Sequence, residues 1–141
     1  MGDRVYVELT CREVDAALFE RAGFLEEFKP GLPPDLSAIV HAEAPDGNVT
    51  ALQDLASKGI SFRGWHDAGG SYDGACFAGF GGRFFEAPRL NHSDLPCIEV
   101  HVHGTVDAGQ LESAVAYLRA ADAVARAFGL PSGEPIEEGM P

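Results

Sequence analysis

Basic residues are scarce in this chain: ten Lys and Arg stand against 22 Asp and Glu, which gives a formal net charge of −12 at pH 7. A potential of that sign repels nucleic-acid phosphates and anionic membrane surfaces, so we expect direct binding to neither. The acidic residues are spread along the sequence, which is typical of a solvated folded surface. The charge therefore indicates either solubility alone or attraction to a basic protein surface.

Long hydrophobic runs and paired cysteines are also missing. There is no run of 18 apolar residues, so no membrane-spanning helix is predicted, and the N-terminal MGDRVYVELT lacks the layout of an export signal. The three cysteines, Cys11, Cys76 and Cys97, are widely spaced and form no CxxC pair. We expect them to be buried, reduced thiols, as in a cytoplasmic protein.

The length and composition predict one globular domain. The chain has 141 residues, of which 45% are hydrophobic, and this is enough for a core without disulfides or a structural metal. We assign residues 1–129 to that domain. Residues 130–141 are rich in Pro, Gly and Glu and are predicted to form a disordered acidic tail.

The order of hydrophobic patterns predicts an α+β fold. Alternation of apolar and polar residues predicts strands, and apolar spacings of three and four predict helices. The resulting order is β-α-β-α-β-β-β-β-α. Its strands lie at 4–10, at 36–44, in an aromatic-rich meander over 60–87 and at 97–103, and its last and longest helix at 107–128. Strands that follow each other directly pair antiparallel, so we expect a mostly antiparallel sheet packed by the long C-terminal helix.

Local signals at the ends of these elements make the prediction more specific. Side-chain oxygens at helix starts accept bonds from unpaired amides, and glycine pairs form tight hairpin turns. The predicted signals are a capping box at Thr10 and Glu13, caps at Asn48 or Thr50 and at Asp107 or Thr105, and a turn at Gly81-Gly82.

The segment GWHDAGGSYDG, residues 64–74, carries the single Trp and the densest set of functional groups. One interpretation is a plain hairpin, with Gly69-Gly70 as the turn and Trp65 in the core. The other is a recognition loop, because glycine lets a backbone approach a ligand and successive amides can form an anion-binding nest. Its candidate binding residues are Trp65, His66, Asp67, Ser71, Tyr72 and Asp73.

A second candidate site depends on the strand predicted at 97–103. Period-two geometry there places Glu99, His101 and His103 on one face, with the valines between them in the core. Two such histidines can ligate a divalent transition metal, with Glu99 or a nearby loop residue such as His92 or Asp94 completing the set. The alternative is an ordinary strand surface that faces solvent.

The long helix over 107–128 carries an apolar stripe that we expect to pack in the core. The stripe consists of Leu111, Val115, Leu118, Ala121, Ala125 and Phe128. The same helix is rich in alanine, which allows close helix–helix approach, so a homodimer through this helix is the alternative.

The sequence contains no complete set of catalytic residues, because it matches neither a phosphate-binding loop, nor a dinucleotide motif, nor a GxSxG nucleophile elbow. The first functional hypothesis is a non-enzymatic binding or inhibitory protein. It docks on a basic, nucleic-acid-handling protein through the segment from Trp65 to Asp73, by analogy with small phage or mobile-element inhibitors. The alternative is a small metal- or ligand-binding domain, in one version an enzyme, that uses the His66 loop and the Glu99, His101 and His103 face.

Overall fold

A six-stranded antiparallel sheet forms the centre of the protein. The computed structural model describes residues 4–45, 48–68, 74–89 and 95–130. The strands are β1 (Arg4–Arg12), β2 (Leu25–Glu27), β3 (Leu36–Pro45), β4 (Phe62–His66), β5 (Ala75–Phe80) and β6 (Arg83–Pro88). Their spatial order is β2-β3-β1-β4-β5-β6, so β2 and β6 are the edges of the sheet.

Three helices cover the sheet: α1 (Ala16–Glu20), α2 (Val49–Ser57) and α3 (Ala108–Ala127), with a short 3₁₀ turn at Glu13–Asp15 before α1. The α+β class, the antiparallel sheet and the long C-terminal helix are thus confirmed. Among the described residues, no helix is both long enough and apolar enough to cross a membrane. The predicted tail, 130–141, lies outside the described residues except for Leu130.

The first core cluster lies between the sheet and α1 and α2. Alternate residues of β1, among them Val7 and Leu9, are fully buried, whereas the residues between them are partly exposed. These side chains pack with Phe19 of α1 and Leu52 of α2. The alternation predicted from the sequence therefore sets which face of β1 is buried.

The second core cluster lies on the other face of the sheet, where α3 crosses β5 and β6. The sheet contributes small residues there, Cys76, Ala78 and Ala87, and α3 contributes Tyr117 and Val124. On this same face, the exposed positions of β1, such as Glu8, are only partly covered.

Three glycines show why the strands fit together. Gly81 and Gly82 have φ angles of 62° and 81° between the paired residues Phe80 and Arg83, which confirms the predicted two-residue turn. Gly64 of β4 lies against β1 so closely that a Cβ added to it would be 2.1 Å from the Glu8 carbonyl oxygen.

Residues 97–103 do not form the predicted strand. The segment carries only an isolated bridge between Val100 and Val106, and Val100 and Val102 are 66% and 93% exposed. A turn closes it, in which the amide of Gly104 donates to the carbonyl of His101 over 2.8 Å. The sixth strand is instead β2, which the sequence pattern did not predict.

Of the three predicted helix starts, one has the expected capping bond. Asn48 directly precedes α2 as predicted, but its side chain makes no capping bond and donates to the Ala22 carbonyl over 2.7 Å. The Asp107 side chain accepts a bond from the Gln110 amide over 2.9 Å and caps α3 as expected. Thr10, in contrast, lies inside β1, and α1 begins only at Ala16, so the capping box at Thr10 and Glu13 is wrong.

The buried face of α3 also differs from the predicted stripe. Ala121, Ala125 and Phe128 are buried as expected, but Leu111 and Leu118 are 43% and 46% exposed. The helix turns its small residues towards the small residues of β5 and β6, which allows close packing.

The Gly64→Ala variant should lose about 2 kcal/mol of unfolding free energy, because the added methyl collides with backbone atoms that cannot move aside. Gly104→Ala is the control: nothing lies within 4 Å of its Cβ, and only its φ of 84° resists substitution, at about 1 kcal/mol. Urea unfolding measures both. A smaller loss at Gly64 than at Gly104 would contradict the described contact between β1 and β4.

Candidate functional site: a cleft at the end of the sheet

A cleft of about 800 Å³ opens at the end of the sheet where β4 ends and β5 begins. This volume is in the range of ordinary small-molecule sites. The first residue of α2 and the first two turns of α3 form its sides. Its described lining residues are Val49, His66, Gly74, Ala75, Glu86, Ala87, Pro88, Asp107, Gly109, Gln110 and Ser113.

His66 is the buried polar residue of this cleft. It is the last residue of β4, pairs with Val7 on one side and Ala75 on the other, and is 2% exposed. Its ring lies nearly parallel to that of Phe77, with 6.3 Å between centroids. Strand pairing therefore sets the position of the backbone, and ring packing sets the plane of the imidazole.

Hydrogen bonding sets which ring nitrogen of His66 faces the cleft. Nδ1 lies 2.9 Å from the carbonyl oxygen of Asp67. Because a carbonyl can only accept, Nδ1 carries a proton, and in the neutral ring Nε2 then has the lone pair. Nε2 lies 3.8 Å from a carboxylate oxygen of Glu86, whose side chain is 40% exposed.

The side chain of Arg89 holds the end of β4 in place through hydrogen bonds. Its Nε donates to the carbonyl oxygen of His66 over 2.9 Å, and its Nη2 donates to the Asp67 carboxylate over 2.5 Å. The side chain of Arg89 is only 2% exposed. A Cβ on Gly74 would lie 3.3 Å from Arg89 Nε, so a glycine at this position leaves the guanidinium its space.

Trp65 points to the other face of the sheet and is half-buried. The guanidinium carbon of Arg89 lies 4.3 Å from the centre of the Trp65 ring, and Tyr6 packs against the ring at 5.4 Å. The Tyr6 hydroxyl donates to Glu8 over 3.0 Å. Burial, the bond to Glu8 and nearby carboxylates raise the pKa of Tyr6 well above its usual value.

The segment from Trp65 to Asp73 is therefore only partly tested. Trp65, His66 and Asp67 are brought together by one residue, Arg89, and Trp65 lies beneath its guanidinium. Ser71, Tyr72 and Asp73, and the turn at Gly69-Gly70, lie outside the described residues.

The start of α3 brings polar groups to the cleft: the capping residue Asp107, and Gln110 and Ser113 of the helix. Gln110 is held by Glu99, whose amide donates to Gln110 Oε1 over 2.6 Å and whose carboxylate accepts from Gln110 Nε2 over 3.0 Å. Glu99 thus holds the side chain of Gln110 at the wall of the cleft.

The candidate metal site at Glu99, His101 and His103 depended on a strand at 97–103, and the structure has no strand there. His101 and His103 are exposed and lie at a turn, not on one face of a sheet. Within the described residues, no group of three or more His, Cys, Asp or Glu side chains is placed to hold a metal ion. His92 and Asp94, considered as further ligands, lie outside the described residues.

The three cysteines are free thiols, and two of them are in the core. Cys11 and Cys76 are buried as expected, but Cys97 is exposed. Burial, followed by the nearby carboxylates of Asp15 and Glu13, raises the pKa of Cys11 to about 12. Cys11 is therefore a neutral core residue at physiological pH and not a nucleophile.

The sequence reasoning missed Glu86 and Arg89. Glu86 had a detectable signal, because the alternation of RFFEA puts it on the same face as the core residue Phe84. Arg89 had none, since its contacts to His66 and Asp67 span 23 and 22 residues of sequence.

Comparison of the chain with known proteins gave no relative: no protein-family model, no curated protein and no solved structure matched it. The functional argument therefore starts from the geometry of the cleft and the charge of the surface.

Replacing Arg89 with Met keeps the apolar stem but removes both hydrogen bonds, and should cost about 2 kcal/mol of unfolding free energy. The emission of Trp65, the single Trp, should shift as the guanidinium leaves its ring. Arg126→Met is the control, because its ion pair with Asp122 is exposed and should be worth less than about 0.5 kcal/mol. Equal losses in urea unfolding, with unchanged Trp65 emission, would contradict the described role of Arg89.

Proposed function

We propose that the protein binds a small molecule in the cleft at His66, without transforming it. The observation that carries this proposal is a buried imidazole whose Nε2 lies 3.8 Å from Glu86 in a cleft of about 800 Å³. A buried polar side chain at the wall of a cleft of ligand size is the usual arrangement of a binding site. This corresponds to the ligand-binding alternative drawn from the sequence, with Glu86 in place of the histidines at 101 and 103.

The chemistry of the lining favours a cationic ligand with an apolar body. Glu86 and Asp107 supply carboxylates, and none of the described lining residues is Lys or Arg. Val49, Ala75 and Pro88 supply apolar surface. The net charge of −12 also attracts cations to the protein from a distance. A small amine with an aliphatic or aromatic group fits these features.

A matched pair of probes tests this proposal: phenethylamine and 3-phenylpropionate, which have similar skeletons and opposite charges. Calorimetric titration should detect binding of the amine and not of the carboxylate. Glu86→Gln should weaken amine binding about tenfold or more, because it removes a charged acceptor. Glu27→Gln removes the same charge at the opposite edge of the sheet and should leave the affinity unchanged.

Preference for the carboxylate, or equal effects of the two substitutions, would overturn the proposed ligand class. Absence of binding to a panel of amines and of neutral analogues would overturn the cleft as a binding site. Glu86 is suited to this test because its side chain is 40% exposed, so the substitution should not unfold the protein.

A second candidate function is docking on a basic protein, which the charge of the surface favours. Carboxylates concentrate at the α1 end of the sheet, where Glu13, Asp15, Glu20 and Glu26 all act on the pKa of Cys11. In its fuller form, this is an inhibitor of a nucleic-acid-handling protein of the phage or mobile-element kind, acting in a reducing cytoplasm. Trp65 lies beneath Arg89, so within the described surface we place the contact at these carboxylates.

Salt dependence tests the docking function. Basic proteins captured from a lysate of the source organism at low salt should dissociate at high salt, because surface attraction is screened beyond about 8 Å at physiological ionic strength. With the captured partner purified, the double variant Asp15→Asn/Glu20→Gln should weaken binding more than the control Glu43→Gln/Asp54→Asn, which has the same net charge. An affinity that is independent of salt, or equal losses in both variants, would refute this function.

A further inference from the structure

One flank of α3 carries apolar side chains that neither the sheet nor the cleft uses. Leu111 and Leu118 are 43% and 46% exposed. Leu111 lines a groove of about 480 Å³ with Ala108 and Val115, and this groove shares no lining residue with the cleft. Leu118 follows Leu111 about two helical turns further along α3. Exposed apolar side chains that lie together on a soluble protein mark interaction surfaces more often than isolated ones do.

The spacing of these residues forms a straight seam. Leu111, Val115 and Leu118 are four and three residues apart, so they lie in one row about 10 Å long on the helix. Such a row is the pattern with which two helices pack side by side. The occupant that fits the seam best is therefore another helix.

The charges beside the seam would match those of a second copy of the chain placed antiparallel to the first. Glu112 and Arg119 line the same groove, and among the described residues neither makes an ion pair, whereas Arg126 of the same helix pairs with Asp122. The midpoint of Glu112 and Arg119 lies between Val115 and Ala116. A two-fold axis near that midpoint brings Glu112 of one copy opposite Arg119 of the other, twice.

We infer that this flank of α3 binds the same flank of a second copy, antiparallel, and forms a two-fold homodimer. Leu111 of one copy then lies near Leu118 of the other, with the two Glu112–Arg119 pairs beside them. This interface is isologous, so one self-complementary patch is sufficient to close it. The inference is independent of the ligand in the cleft.

The apolar surface of the seam is small. A row of about two helical turns by itself buries less than a standard interface, so we expect a weak dimer. Because each copy carries a charge of −12, repulsion opposes association, and assembly is best measured at physiological salt.

The experiment is sedimentation analysis of the full chain at about 150 mM salt, over about 1 µM to 1 mM, a range suited to a small interface. We expect a monomer–dimer equilibrium. Leu118→Glu should weaken the dimer at least tenfold, because it places a carboxylate in the seam. Val14→Glu is the matched control, since Val14 is also an exposed aliphatic residue, at 84%, and lies outside α3.

Charge exchange provides the sharper readout. Glu112→Arg and Arg119→Glu, taken singly, should each weaken the dimer, whereas the double variant Glu112→Arg/Arg119→Glu should restore it, because both pairs are then re-formed with opposite polarity. A monomer at every concentration overturns the inference. A dimer that Leu118→Glu leaves intact, or one that the double charge exchange fails to restore, overturns it equally.

Discussion

The candidate site depends on one buried cation, the guanidinium of Arg89. It donates to the carbonyl of His66 and to the carboxylate of Asp67, and it covers one face of the Trp65 ring. Burying a charge is costly unless its hydrogen bonds are made, and these contacts offset that cost. The backbone of His66 is held by β1, β5 and Arg89. The imidazole therefore points towards Glu86 and the cleft.

The fold could be predicted from the sequence where local residues determine it. The prediction failed where packing between distant elements determines the structure. Alternation along β1 and the glycine pair at Gly81-Gly82 are local signals, and both are confirmed. Residues 97–103 alternate equally well, but within the described part of the chain they make only an isolated bridge, Val100 to Val106, so the pattern alone forms no sheet. The buried face of α3 follows the same rule: β5 and β6 present Cys76, Ala78 and Ala87, so the helix turns its alanines inward and leaves Leu111 and Leu118 outside.

Two of the four residues that build the candidate site could be predicted from the sequence. His66 and Asp67 stand out in the sequence because a glycine-rich segment at a strand end often carries function. Glu86 and Arg89 become their partners only through the pairing of β4 with β5 and of β5 with β6, which no local signal encodes. The fold places three surfaces apart that the sequence alone does not distinguish. They are the cleft at the end of β4, the carboxylates around α1, and the exposed flank of α3.

The most direct test of this account is the protonation of the His66 ring, read from long-range nitrogen–proton correlations of the ¹⁵N-labelled protein at neutral to alkaline pH. If Arg89 and the Asp67 carbonyl orient the imidazole as described, the neutral ring carries its proton on Nδ1, and Nε2 has the lone pair. A ring with its proton on Nε2, or one that exchanges between the two tautomers as a solvent-exposed histidine does, would contradict it.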